Sequence, residues 1–335
     1  MKHAKSFSIV VFIVLFAYGA VGLYNLPMAS FEGDLTRIGM LPESAFGWRK
    51  PQPVIDPAWL TQSPLQEADV LVLGDSFSDT QVWQTALTRR GLKVHTTHWG
   101  KTNGVCADFE PWLRTQGFRG QYVVLQIIER NFQDEIGKYV NCRQTQVRLR
   151  VFSDKGHSPP ITSFNPDQTD YSGRFSVGIQ TARNYRDYER ISGSPDFKVA
   201  VLPNGTKVAR IDNGCELFSH RRCADNLFLG ADQPTDIAEP ALQNMHTLNA
   251  RLQHITPIWA IVPNKSTAYL YPDKQFWNQA EKLFHAPNLL RMTQQAIAEK
   301  TMDLYPANNT HFSTTGYLLM GEAIYQSIRL AKESP

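Results

Sequence analysis

The stretch VLVLGDSFSD, Val70 to Asp79, runs four apolar residues straight into Gly-Asp-Ser. A short continuous apolar run ended by a turn residue reads as a strand buried on both faces, the type found in parallel sheets. Ser76 then stands at the carboxyl edge of that sheet, where open α/β folds place their ligands. Gln81 to Arg90 reads as the helix that follows, so the backbone N–H of Ser76 lies near a helix start and can donate to an oxyanion. The alternative is structural: Asp75 or Ser76 serves only to cap the helix.

Further strands follow, the last of them much later in the chain. Leu92–His95 is short, Gln121–Ile128 is the strongest strand signal in the chain, and Thr256–Pro263 is the last. Ser313–Ala331 closes the chain with an amphipathic helical pattern. Strands alternating with helices imply a parallel sheet covered on both faces. Between about 144 and 236 the texture changes. Ser158-Pro159-Pro160 lies there, and so do the runs Phe197–Leu202 and Thr206–Arg210 joined by Pro203-Asn204-Gly205, a strong hairpin signal. We read a β-containing insertion packed beside the sheet. Residues 27–66, rich in Pro and polar residues without periodicity, read as a tether and lead-in to a domain over 67–335.

The setting comes from the amino terminus and the cysteines. Lys2 and Lys5 precede an uncharged, mostly apolar stretch from Phe7 to Tyr24, about the length needed to cross a bilayer. The basic start holds the amino end inside and sends the remainder outward. A cleavable signal peptide has the same polarity, but Ala17-Tyr18-Gly19-Ala20 is a poor cleavage site. We read residues 1–26 as an uncleaved anchor, with secretion following if the segment is removed. The four cysteines, Cys106, Cys142, Cys215 and Cys223, are even in number and show no CxxC spacing. A disulfide between Cys215 and Cys223 closes a short loop and leaves Cys106 with Cys142. Three pairings are open on sequence, as are four buried thiols. The formal net charge of +3 is small and partly amino-terminal, so nothing indicates nucleic acid. No metal-ligand spacing is visible.

A serine hydroxyl is a poor nucleophile until a base takes its proton. Of the nine histidines, His311 is best placed, in NNTHFSTTGY (Asn308–Tyr317), a loop running into the final helix. GDSF after the first strand, an Asn just after a later strand and a histidine before the last helix together resemble the SGNH (GDSL-like) hydrolase superfamily, with blocks at Ser76, Gly100, Asn131 and His311. More narrowly, Ile128–Phe132, Leu217–Arg221, Val262–Ser266 with Tyr271-Pro272, and Asn309–Phe312 resemble the alginate O-acetyltransferase group over about residues 68–325. In that group the histidine block precedes the serine block. Here the order is reversed, as in ordinary SGNH hydrolases and as a circular permutation of the sheet would give.

The resemblance implies an α/β SGNH-type three-layer sandwich with a central parallel sheet and the β-containing insertion. It also implies an acyl-Ser76 intermediate, with His311 as base and the N–H of Ser76, the N–H of Gly100 and the side chain of Asn131 as oxyanion donors. The family acid just before the histidine is replaced by Asn308 and Asn309. Three readings follow: a dyad oriented by Asn309, a remote acid such as Asp303, or a weakened enzyme. Trp83, Trp99 and Tyr122 are candidates to meet sugar rings, against a core role. Glu129 and Arg130 either pair with each other or contact the acceptor.

The expected activity is a membrane-anchored, extracytoplasmic polysaccharide O-acetyltransferase of exopolysaccharide biosynthesis. It would sit in a bacterial inner membrane with its catalytic domain in the periplasm and use no cofactor. Its acetyl source is a membrane-bound O-acyltransferase partner and its acceptor a polysaccharide. The alternatives are an SGNH-type carbohydrate acetylesterase, which shares every residue named, and a non-catalytic polysaccharide-binding or assembly subunit.

Overall fold

A computed structural model describes residues 2–29, 31–145, 160–168 and 173–333. Ser158 and Pro159 of the Pro-rich stretch lie outside them. The chain divides into two compact units. One is formed by residues 1–50, 163–231 and 305–310, the other by residues 51–162, 232–304 and 311–335.

The second unit holds a four-stranded parallel sheet of β1 (Val70–Gly74), β2 (Val94–His98), β3 (Tyr122–Ile128) and β7 (Thr256–Val262), in the order β2-β1-β3-β7. Every residue of β1 and β3 is buried, because in a sheet with helices on both faces neither side of a central strand meets water. Leu71, Leu73, Val123, Leu125 and Trp259 point into one core, against Phe109 and Phe132 among others. The closing helix spans Thr314–Glu333, and its Gly321 lets it approach so closely that a Cβ there would meet the backbone oxygen of Trp83. This is the expected α/β sandwich with a central parallel sheet.

Two details differ from expectation. The helix after β1 is confined to Thr85–Thr88, because Gln81 takes a left-handed conformation (φ 56°) that breaks the helical path. Strand β2 runs to His98, three residues further than expected, so it reaches as far as Gly74, its register partner.

The first unit contains the hairpin of β4 (Val199–Val201) and β5 (Thr206–Arg210), antiparallel as expected, with β6 (Asp225–Leu229) added on the far side of β5. Residues 27–66 are not simply a tether. Asp34–Gly39 and Glu43–Phe46 are short helices, and Leu35, Leu41 and Phe46 are fully buried in a core with Tyr188, Val208 and Leu227. Their apolar residues are too few and too irregularly spaced to give a periodic signal. Both disulfides form, Cys106–Cys142 and Cys215–Cys223.

The amino-terminal helix covers Lys2–Asn25. With the following turn it makes an apolar span from His3 to Met28 that is almost wholly uncovered by protein. Such a span serves as a membrane anchor or a signal sequence, and with two disulfides it indicates an extracytoplasmic domain.

Candidate active site

β1 ends at Gly74, and the chain turns through Asp75 into a single 3-10 turn, Ser76–Ser78. The turn is held from β3. Gln126 donates its Nε2 to Asp75 Oδ1 (2.8 Å), and its Oε1 accepts from the Asp75 N–H (3.1 Å) and the Ser78 hydroxyl (2.7 Å). Asp75 also accepts from the N–H groups of Phe77 (2.9 Å) and Ile128 (2.7 Å). Gly74 has to be glycine for this packing, since a Cβ would lie 2.3 Å from Ser78 Oγ. Asp75 therefore fixes the elbow, and Ser76 is left exposed at its tip. The N–H of Ser76 belongs to the start of the 3-10 turn, among the donors that helical turns leave open.

Ser76 Oγ lies 2.7 Å from His311 Nε2. The imidazole rests against the ring of Phe77, centroids 4.6 Å apart, and Phe77 is itself braced by Phe312 and Tyr317. The loop before His311 is pinned where Ser313 N–H donates to Leu304 O, immediately ahead of the closing helix. A serine hydroxyl within hydrogen-bond reach of a histidine, at the carboxyl edge of a parallel sheet, is the arrangement that activates a nucleophile.

A cleft of about 690 Å³ is lined by Asp75, the residue before Ser76, and by His98, Trp99, Gly100, Asn131 and Tyr139 among others. The Asn131 side chain is exposed in the first turn of the helix Glu129–Val140 and has no hydrogen-bond partner among the described residues, as an oxyanion donor requires. Gly100 differs from expectation: its N–H is taken by His98 Nδ1 at 2.8 Å. The ring caps the short 3-10 turn Trp99–Lys101, so this donor is occupied.

The aromatic candidates are structural. Trp83 is fully buried, with Nε1 donating to Ser78 Oγ (3.1 Å). Trp99 is buried, donates Nε1 to Gln126 O (2.7 Å) and stacks on Tyr139 at 4.9 Å, forming cleft wall rather than an open platform. Tyr122 begins β3 at the opposite edge of the sheet, and burial pushes its phenol above the ordinary range.

Glu129 and Arg130 do not pair with each other. Glu129 Oε2 accepts from the Asn264 N–H (2.8 Å), and Oε1 lies 3.9 Å from Lys274 Nζ. Burial pushes its carboxyl up to about 6, against hydrogen bonds from Thr267 and Asn264 that lower it. Arg130 reaches Asn264 Oδ1 (3.2 Å) and Asp232 (3.7 Å). These side chains bind the ends of β3 and β7 together. The Leu217–Arg221 block is likewise structural: Ser219 Oγ accepts from the N–H groups of Arg49 and Lys50, and His220 is buried.

Around the histidine, Asn308 is spent on Glu43, to whose carboxylate its amide donates. Asn309 is half-buried and donates its N–H to Pro306 O (3.1 Å). Asp303 is fully buried in a left-handed conformation (φ 54°). Two residues went unnoticed in the sequence. Gln126 had a visible signal, a lone amide in the otherwise apolar strand Tyr122–Ile128. Asp34 had none: its carboxylate accepts from the N–H (2.8 Å) and the hydroxyl of Thr310, across 276 residues of chain, and Thr310 is bonded directly to His311.

Compared with known proteins, the chain matches no family model, no curated protein and no solved structure.

Proposed function

We propose that this chain is an extracytoplasmic, membrane-anchored polysaccharide O-acetyltransferase that works through an acetyl-Ser76 intermediate. The observation that carries the reading is the 2.7 Å contact of Ser76 Oγ with His311 Nε2 at the carboxyl edge of β1. It is supported by the resemblance of GDSF, Asn131 and the Asn309–Phe312 block to SGNH hydrolases and the alginate O-acetyltransferase group.

His311 takes the Ser76 proton as Oγ attacks the acetyl carbonyl. The negative charge that develops on the carbonyl oxygen is met by the Ser76 N–H and the Asn131 amide. Collapse expels the donor's leaving group, which receives the proton from His311. In the second half, His311 deprotonates a sugar hydroxyl, which attacks the acetyl-serine and leaves as the O-acetyl sugar while Ser76 regains its proton. Asn309, Asp303 and Asp34 are the candidates for orienting the imidazole, Asp34 through Thr310.

The apolar helix Lys2–Asn25 favours transfer over simple hydrolysis, since an anchored enzyme stands beside a membrane-bound O-acyltransferase able to deliver acetyl groups from the cytoplasm. In this reading the anchor lies in a bacterial inner membrane and the rest of the chain in the periplasm. A second reading, a carbohydrate acetylesterase, is favoured by the exposure of Ser76, which admits water to the acyl-enzyme.

One experiment separates them. The protein is incubated with an acetyl ester of a chromogenic phenol, with and without an oligosaccharide acceptor, and followed by intact mass. A Ser76 adduct that moves to the acceptor supports transfer; an adduct lost to water at the same rate with or without acceptor supports the esterase. No adduct and no turnover would remove the enzyme reading and leave a polysaccharide-binding role.

A further inference from the structure

We propose that the helix Phe175–Ser192 is a second membrane contact, an interfacial helix whose Arg183, Arg186 and Arg190 engage anionic phospholipid headgroups. The proposal rests on reading the amino-terminal helix as a retained anchor. Both helices belong to the same compact unit.

Their contact sets the level of the second helix. Gly178 packs against the end of the apolar helix so closely that a Cβ would lie 2.2 Å from Asn25 O. The outer part of the apolar helix is bare, with Phe7, Phe12 and Phe16 each about 70 % exposed, whereas Gly22 and Leu26 are buried. At 1.5 Å per residue, a hydrocarbon core of about 30 Å needs roughly 20 residues, so a span that starts after Lys5 ends near Asn25. That is where Gly178 packs, and the helix Phe175–Ser192 therefore starts at headgroup depth.

The composition of the helix fits that position. Residues 175–182 carry no charge. Gly178, Thr181 and Tyr188 are buried. On the opposite face, at 100° per residue, stand Ile179, Arg183, Arg186 and Arg190. Arg183 and Arg186 are exposed and have no carboxylate partner among the described residues, while Arg190 pairs with Asp187 at 3.3 Å. The remaining carboxylate of the helix, Glu189, is engaged by Arg222. An uncharged first half and an arginine ridge on the second half match a helix lying in the interface, with its cations among headgroups.

The test uses the full chain in vesicles. All four native cysteines are in disulfides, so single reporters introduced as Arg183→Cys, Arg186→Cys or Phe12→Cys label cleanly with an environment-sensitive fluorophore. The expected result is that the position-12 reporter is quenched by nitroxides on acyl chains in every vesicle. The reporters at 183 and 186 should be quenched by headgroup-level nitroxides about threefold more in phosphatidylcholine vesicles containing phosphatidylglycerol than in those lacking it, with the excess lost in high salt. If position 12 is quenched while 183 and 186 stay aqueous in both vesicles, the interfacial contact is overturned and the anchor stands. If 183 and 186 respond instead to a soluble polyuronate, the ridge holds polysaccharide and the proposal is overturned. An unquenched position 12 removes the anchor and the proposal with it.

Discussion

Gln126 of β3 and Asp75 of the neighbouring strand end are joined twice, amide nitrogen to carboxylate and backbone N–H to amide oxygen. One side chain, fully buried, thus sets the angle at which the chain leaves the sheet and holds out Ser76. Gln126→Leu keeps most of the volume but strips partners from Asp75 and Ser78. It should cost roughly 2–4 kcal/mol, since unsatisfied buried polar groups are expensive. Urea unfolding of the exported protein measures the loss, and a change under about 0.5 kcal/mol would show that the elbow holds without Gln126.

Ser76→Ala and His311→Ala should each abolish turnover of an activated acetyl ester, and the double variant should lose little more, because members of one catalytic unit are not additive. Independent, additive losses would show that the 2.7 Å contact is not a working pair.

Asp34→Asn should lower kcat by roughly ten- to a hundredfold while leaving KM within about twofold, because small displacements of a base are costly. Thr310→Val, which keeps the backbone N–H to Asp34, should lose less. Asn309→Asp should retain or raise activity if that position orients the ring, and Asp303→Asn tests the remaining acid. The four variants, compared by steady-state kinetics, rank the orienting groups, and an inert Asp34→Asn would exclude Asp34.

His98→Ala should free the Gly100 N–H now held by the imidazole. If that N–H serves the oxyanion, kcat/KM rises by about tenfold at most, given that single donors of this kind are worth more when fully aligned. A fall would show that His98 holds the turn in its working shape.

Glu129 gives a pH signature of stability. Its carboxyl titrates from 4.5 when unfolded to about 6 when folded. Between those values the folded state binds more protons, so stability falls as pH rises through this window, by about 2 kcal/mol. The advantage of wild type over Glu129→Gln should shrink from pH 4.5 to 6 and be flat above 7. An advantage that grows over that window would reverse the sign assigned to burial.

In the parallel sheet β1, β3 and β7 were legible because they are largely apolar runs, whereas the extent of β2 was not, its sequence VHTTH being mostly polar; both disulfides follow the pairing that puts Cys215 with its near neighbour Cys223. Strand β6 was not, since Asp225-Asn226 opens it with polar residues that are buried only through partners such as Arg210 and Tyr188. Ser76 and His311 could be named from their neighbourhoods. The occupation of Gly100 by His98 could not, because it depends on a rotamer, and the grip of Asp34 on Thr310 joins residues that share no local pattern.

The first unit is assembled from three stretches that lie far apart in the chain, and Asn308 closes it onto Glu43 and Leu35 across more than 260 residues. Contacts of such sequence separation form late and slowly. If the residues after the anchor cross the membrane in chain order, β1 and Ser76 arrive early, yet Glu43 must wait for almost the whole polypeptide before its partner Asn308 emerges. His311 follows Asn308 by three residues, so assembly of that unit and arrival of the histidine are nearly simultaneous. On the proposed reading, a chain cut anywhere before residue 305 would present Ser76 without His311 and would also lack the last stretch of its amino-terminal unit, residues 305–310.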